Sequence, residues 1–288
     1  MTRREEILNT ISGVVAVPSC SHKAAGMLGD PSINFQALAR MVTHDPGLTA
    51  NLLKVVNASF FGGTGRPLLT VDEATLKLGS TQYLQFVIST GVAPTFVQKI
   101  EGYDLAPNMH TQHSVTVGMV ARELARVLGV DAPDYTFTAG LLSGIGKTLL
   151  GGYVDIEVQP ILDLALKEGL SFDQAEDEVL GINHAELGAM VLESWGLPEE
   201  IVRVVRFHLR PEEYEGVDVV LDLVHMGNVL AKMIGVGLGV DGLNYVPSHT
   251  VAERLGLKPE HMDMVMANVV IELESIHDLF IECAEPPI

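Results

Sequence analysis

Residues 139–150 read Ala-Gly-Leu-Leu-Ser-Gly-Ile-Gly-Lys-Thr-Leu-Leu. Leu141, Leu142, Ile145, Leu149 and Leu150 recur at helical spacing, which predicts a buried helix. Ser143 and Gly144 stand together within it, so a hydroxyl and a hydrogen atom are what this helix brings to a polar site. The end of the stretch, Gly146-Lys147-Thr148, also closes a phosphate-binding loop pattern. That reading fails on spacing, because the pattern requires glycine where Leu141 stands, and on context, because a helical rather than a strand pattern precedes it.

Outward from this segment, helix signals dominate. Helices are expected at 3–15, about 34–43, from Asp45-Pro46 to Asn57, from Thr70 to Leu78 and over 80–99. They continue at about 109–129, 133–151, 155–168, 171–181, 183–195, 198–209 and 217–235, with a last helical unit at 248–283. Thr70 with Glu73, Ser171 with Gln174, and Asn183 with Glu186 have the form of capping boxes. No segment alternates at period two, so the fold class is all-α. The glycine-rich stretch 235–242 is the clearest break and reads as a surface loop. The expected division is an N-terminal helical subdomain over 1–107, a second over 108–235 and a helical extension over 236–288.

Composition narrows the function classes. A formal charge of −19 repels phosphate backbones, and no Lys/Arg-rich stripe interrupts it, so direct nucleic-acid binding is not expected. Mean hydropathy is positive, yet no run of about 18 apolar residues lacks a charge or a break, so no membrane span is expected. Cys20 and Cys283 lie near opposite ends, which fits a reducing compartment and excludes a disulfide framework or zinc ribbon. The start, Met-Thr-Arg-Arg-Glu-Glu, lacks the apolar core of a signal peptide, and a cytoplasmic location is expected.

An ordered series of motifs carries a family resemblance. It comprises Asp45-Pro-Gly-Leu-Thr-Ala-Asn-Leu-Leu-Lys-Val-Val-Asn-Ala-Ser59, the helix ending in Leu78-Gly79, His113-Ser114, Ala139–Lys147, Asn183-His-Ala-Glu-Leu-Gly188, Trp195-Gly-Leu-Pro198 and His208. Over roughly 14–210 the chain resembles the HDOD family, output-domain relatives of the HD metal-dependent phosphohydrolases. The resemblance implies an N-terminal helical bundle packed on a degenerate HD-like helical domain. HD enzymes hold metal through a histidine, an adjacent His-Asp pair and a later aspartate. His113 matches the first ligand, Ser143 and Gly144 replace the pair, and Asn228 aligns with the later aspartate. Carboxylates neutralise and bridge divalent cations, and the metal then acidifies a bound water. Serine and glycine do neither, so no bound metal is expected. The alternative is a single divalent ion held by His113, His184 and His208, against the plainer reading that these imidazoles satisfy backbone or hydroxyl groups. Lys147 matches the family's lysine and is expected to pair with a nearby acid.

Other signals carry less. His44-Asp45 places a carboxylate before Pro46, where it caps a helix, and His277-Asp278 has no ligand partner near it in sequence. Gly237-Leu-Gly-Val-Asp-Gly242 fits a dinucleotide pattern without the βαβ unit that the chemistry needs. Ser143 and Ser114 lack the strand-turn-helix elbow of a nucleophile. Met262, Met266, Val269, Leu273, Ile276 and Phe280 form a helical stripe that reads as intramolecular core, with partner binding as the alternative. The expectation is a non-catalytic bacterial signal-transduction protein working through contacts with signalling proteins, with a homodimer left open. Its rivals are a metal-dependent phosphohydrolase with an atypical ligand set and a small-molecule sensor using a vacated, histidine-lined pocket.

Overall fold

The computed structural model describes residues 2–11, 42–57, 66–78, 99–242 and 245–282. Most of the helix expected at 34–43, and all but Lys99 of the one at 80–99, lie outside these residues. The architecture is all-α, and among the described residues the only sheet-like pairing is an isolated bridge between Ile100 and Leu105. The helices are α1 (Arg3–Ile11), α2 (Pro46–Asn57), α3 (71–78), α4 (Met109–Leu128), α5 (Thr136–Leu142) and α6 (Gly146–Glu168). There follow α7 (Phe172–Leu180), α8 (His184–Ser194), α9 (Glu199–Phe207), α10 (Val219–Ile234), α11 (His249–Arg254) and α12 (Pro259–Glu282). None of them is long and apolar enough to cross a membrane.

Local chemistry explains the starts. Leu48 N–H donates to Asp45 Oδ1 at 2.9 Å, so Asp45 does cap α2. Ser171 N–H donates to Gln174 Oε1 at 3.0 Å, completing the α7 box. The other two boxes are half-formed. Asn183 accepts from Glu186 N–H at 2.9 Å, but the Glu186 carboxylate turns away to Arg4. Thr70 accepts from Glu73 N–H at 3.1 Å, while Glu73 reaches Leu69 N–H instead of Thr70.

Three expected boundaries are corrected. The helix expected over 133–151 is broken at Ser143–Ile145, where Ser143, Ile145 and Lys147 N–H groups bond three residues back rather than four. Beyond the break α6 runs on through the boundary expected before residue 155. It kinks at Glu157 (φ −109°, ψ 15°), three residues before Pro160, whose ring cannot fit a straight helix. The unit at 248–283 divides into α11 and α12, because Gly256 takes φ +59° and Pro259 opens a new helix.

Among the described residues, three apolar clusters hold the elements together. One joins α4 and α10 to α11 and α12 through Val115, Leu124, Leu223, Leu230, Val251, Val265 and Val269. Met262, Met266 and Leu273 pack against it, so the described part of the α12 stripe is core. A second joins α1 and Tyr103 to α6, α7 and α8, and a third joins α2 to the α5–α6 junction, α8 and α9. The segment quoted first lies where these clusters meet. Gly146 permits this, since a Cβ there would lie 1.9 Å from His184 O and 2.8 Å from Gly188 N. Its role is close helix approach, not phosphate binding.

Candidate functional site

On α4, positions i, i+3 and i+4 share a face, and His110, His113 and Ser114 therefore point inward together. Their surroundings are Lys147 from the first turn of α6, His184 from the start of α8, His208 at the end of α9, and His225 and Asn228 from α10. All of these side chains are buried.

The hydrogen bonds fix several protonation states. His113 Nδ1 lies 3.0 Å from Val236 O, and its Nε2 lies 3.0 Å from Asn228 Oδ1. Burial, reinforced by Lys147, pulls the His113 pKa down to about 4, so the ring is neutral and donates from one nitrogen only. Both facing atoms are acceptors, so the neutral ring donates to one of them, Val236 O or Asn228 Oδ1. His225 donates from Nδ1 to His208 O at 2.8 Å and accepts Ser248 N–H at 3.0 Å. His208 donates to Val205 O at 2.8 Å, and burial, then His184, holds its pKa well below the usual imidazole value.

His184 is held differently. Its Nδ1 lies 2.8 Å from Glu176 Oε2, which also accepts the His184 backbone N–H at 2.9 Å, while Glu176 Oε1 accepts Tyr103 O–H at 2.6 Å. Burial, and then the Glu176 charge, push the Tyr103 phenol well above its ordinary value. The His184 and His208 rings meet edge-on at 6.3 Å.

Lys147 does pair with an acid, Asp241, at 2.7 Å, and Lys232 approaches the same oxygen at 3.5 Å. Burial opposes ionisation of Asp241, yet the two lysines hold its carboxyl far below the carboxylate range. Residues 235–242 are thus not simply a surface loop. They form a strap whose Val236 carbonyl meets His113 and whose Asp241 is buried on Lys147, with no strand before it.

Nor is the position beside Gly144 vacant. A Cβ on Gly144 would lie 2.9 Å from His110 Cε1 and 3.7 Å from Ser114 Oγ, so the His110 imidazole fills the space where a larger residue would project. Burial, then Lys147 and His113, lower the His110 pKa to about 3. Both its ring nitrogens and Ser114 Oγ are buried without a hydrogen-bond partner among the described residues. Ser143 Oγ donates to Gly140 O at 2.8 Å, a local helix-end bond.

These residues do not fit the divalent ion of HD enzymes. Among the described residues no three His, Cys, Asp or Glu side chains are grouped to hold a metal. The residual set of His113, His184 and His208 is not assembled as one, since His113 is engaged at both nitrogens while His184 and His208 pair with each other. Sequence reasoning missed His110, Tyr103, Glu176, His225 and Asp241. His110 had a signal, its i, i+3 relation to His113, whereas Asp241 showed only as an acid in a glycine-rich stretch. The His277 and Asp278 side chains lie outside the described residues.

The HDOD domain matches residues 14–211. An uncharacterized protein of Treponema pallidum (strain Nichols) is 23% identical over 215 residues, covering 73% of this chain and 41% of that protein, so this chain spans less than half of its relative's length. Among solved structures, the MmoQ response regulator of Methylococcus capsulatus str. Bath is similar at 21% identity and TM-score 0.64, over 88% of this chain and 98% of that one. A virulence factor of Campylobacter jejuni subsp. jejuni is similar at 17% identity and TM-score 0.55, over 98% and 97%. Identities this low establish a shared fold.

Proposed function

Because this chain belongs to the HDOD domain family, we propose that it is a non-catalytic regulatory protein of the bacterial cytoplasm that signals through contacts with other proteins. One observation carries the reading: where the resemblance implies a metal-binding pair, Ser143 is bonded to its own helix and Gly144 is covered by His110. Metal-assisted hydrolysis needs a charged ligand set that binds the ion and acidifies its water. Here the neutral amide of Asn228 and four histidines with lowered pKa values, at 110, 113, 208 and 225, take that place. The response-regulator description of one structural relative supports a signalling role.

The test is hydrolysis of cyclic dinucleotides, nucleoside triphosphates and a generic phosphodiester with manganese, alongside elemental analysis of protein purified without added metal. No turnover and no stoichiometric metal are expected. Manganese-dependent turnover that disappears in His113→Ala would overturn the reading and restore the phosphohydrolase alternative.

A further inference from the structure

Lys147 and Lys232 share a single paired acid. Lys147 Nζ lies 2.7 Å from Asp241 Oδ2, and Lys232 Nζ lies 3.5 Å from that oxygen and 3.3 Å from the Asp241 carbonyl. Two ammonium groups from different helices thus share one carboxylate, in a place where side-chain exposure is 5% for Lys147 and Asp241 and 12% for Lys232. Water screens such charges weakly there, so the two ammonium groups repel each other strongly across that carboxylate. No other acid among the described residues pairs with either lysine, and Asp173 reaches Lys232 only through the longer-range field of its charge. Glu176 is engaged by Tyr103 and His184, and Asp173 by Arg210.

The carboxylate between the lysines is carried by the strap. Gly235 (φ +87°) and Gly237 (φ +63°) take left-handed conformations that let the chain turn back over α4, and Gly237 lies against Met109 O and His113. Nearby, His110 Nδ1, His110 Nε2 and Ser114 Oγ are buried at 2% and 1% residue exposure with no partner among the described residues. Buried polar atoms are very rarely left unpaired, because each has lost its hydrogen bonds to water without replacement. Two ammonium groups together with unpaired imidazole and hydroxyl donors are the chemistry of an oxyanion site.

We propose that Lys147, Lys232, His110 and Ser114 form a binding site for a compact oxyanion carrying two negative charges, a phosphate or a dicarboxylate, and that Asp241 is an internal anion competing for it. Entry of the ligand displaces Asp241 and the strap, and His110 and Ser114 gain their missing partners. The site goes beyond the regulatory reading, since anion binding and partner capture are measured separately and either can fail alone.

The experiment follows thermal unfolding and calorimetric binding with inorganic phosphate, succinate and chloride at matched ionic strength, for wild type, Asp241→Asn and Lys232→Met. Asp241→Asn removes the competitor, so it should bind one of the two dianions about tenfold more tightly than wild type and be stabilised by it more. A response to phosphate alone identifies a phosphoryl ligand, and a response to succinate a carboxylate one. Adding Lys147→Met to Asp241→Asn should abolish the response. Should Asp241→Asn fail to fold in chloride, recovery of folding in phosphate or succinate counts in favour. Lys232→Met then decides independently, because it leaves a balanced Lys147–Asp241 pair whose response must fall below that of wild type. Equal responses in all three proteins, no response in any, or none beyond that to chloride overturns the proposal.

Discussion

At Gly144 a single missing side chain has been answered by a neighbour. His110 Cε1 lies 2.9 Å from where a Cβ would project, so a methyl group there would force the buried imidazole to shift. Gly144→Ala should cost about 1–3 kcal/mol, the usual penalty for overpacking, and distinctly less in a His110→Ala background. Urea denaturation of the four proteins in the cycle measures the coupling, and simple additivity would show that His110 is not the obstacle. Restoring the metal-binding pair by Ser143→His with Gly144→Asp should therefore raise manganese affinity only when His110 is also reduced to alanine. The buried histidines carry a second expectation. His110 and His113 have native pKa values of about 3 and 4, below the ordinary 6.5, so the unfolded chain takes up protons first as the pH falls. Their contribution to stability is complete above about pH 6.5 and is lost as the pH falls toward their native values, at about 1.4 kcal/mol per pH unit for each group. Denaturation midpoints should drop steeply between pH 6.5 and 4.5, before most carboxylates titrate, and His113→Gln should flatten that slope. His113 and Asn228 were singled out in the sequence through a family resemblance, and the structure places His113 Nε2 3.0 Å from Asn228 Oδ1. The sequence hid Glu176, Tyr103 and Asp241, whose roles arise from contacts across 8, 73 and 94 residues that no local pattern encodes.

Individual helices were legible from apolar spacing and caps, but their interruptions were not. The break at Ser143–Ile145 and the kink at Glu157 come from packing and from Pro160, and the apolar repeat runs through both. Gly146 shows the tertiary cause most directly, because helices α6 and α8 touch backbone to backbone where it meets His184 O and Gly188. Alanine at Gly146 has no flexible neighbour to push aside, so Gly146→Ala should destabilise by more than about 3 kcal/mol, well above a typical point substitution. Gly152→Ala on the same helix, where a Cβ meets nothing within 4 Å, should be neutral or slightly stabilising. Thermal unfolding of the pair checks this, and similar midpoints would refute the close-packing role. On α12 the same reasoning separates Val269, fully buried against α4 and α10, from Ile271, which is 67% exposed. Val269→Ala should lower stability by about 1–3 kcal/mol, whereas Ile271→Ala should fall within about 0.5 kcal/mol of wild type.

For the whole molecule, the cluster of buried histidines and the outer surface are chemically separate. His184 and His208 are 3% and 2% exposed, so neither presents an imidazole to a docking protein. The surface instead reflects 37 acidic against 18 basic residues, which favours basic or apolar partners. Capture of partners from a native lysate should therefore survive His208→Ala and His184→Gln, once circular dichroism confirms unchanged helicity. It should weaken steadily as salt is raised from low to about 0.5 M, because screening shortens the reach of surface charge. Capture should also weaken when residues in the N-terminal stretches 34–43 and 80–99, whose charged residues are Arg40 and Lys99, are changed to opposite charge, a choice guided by sequence because most of both lies outside the described residues. Capture lost only in the histidine variants, with helicity intact and no salt dependence, would move the working site from the surface to the buried cluster. Any partner effect would then have to pass through the Asp241 strap, where Gly237 and Val236 already touch His113.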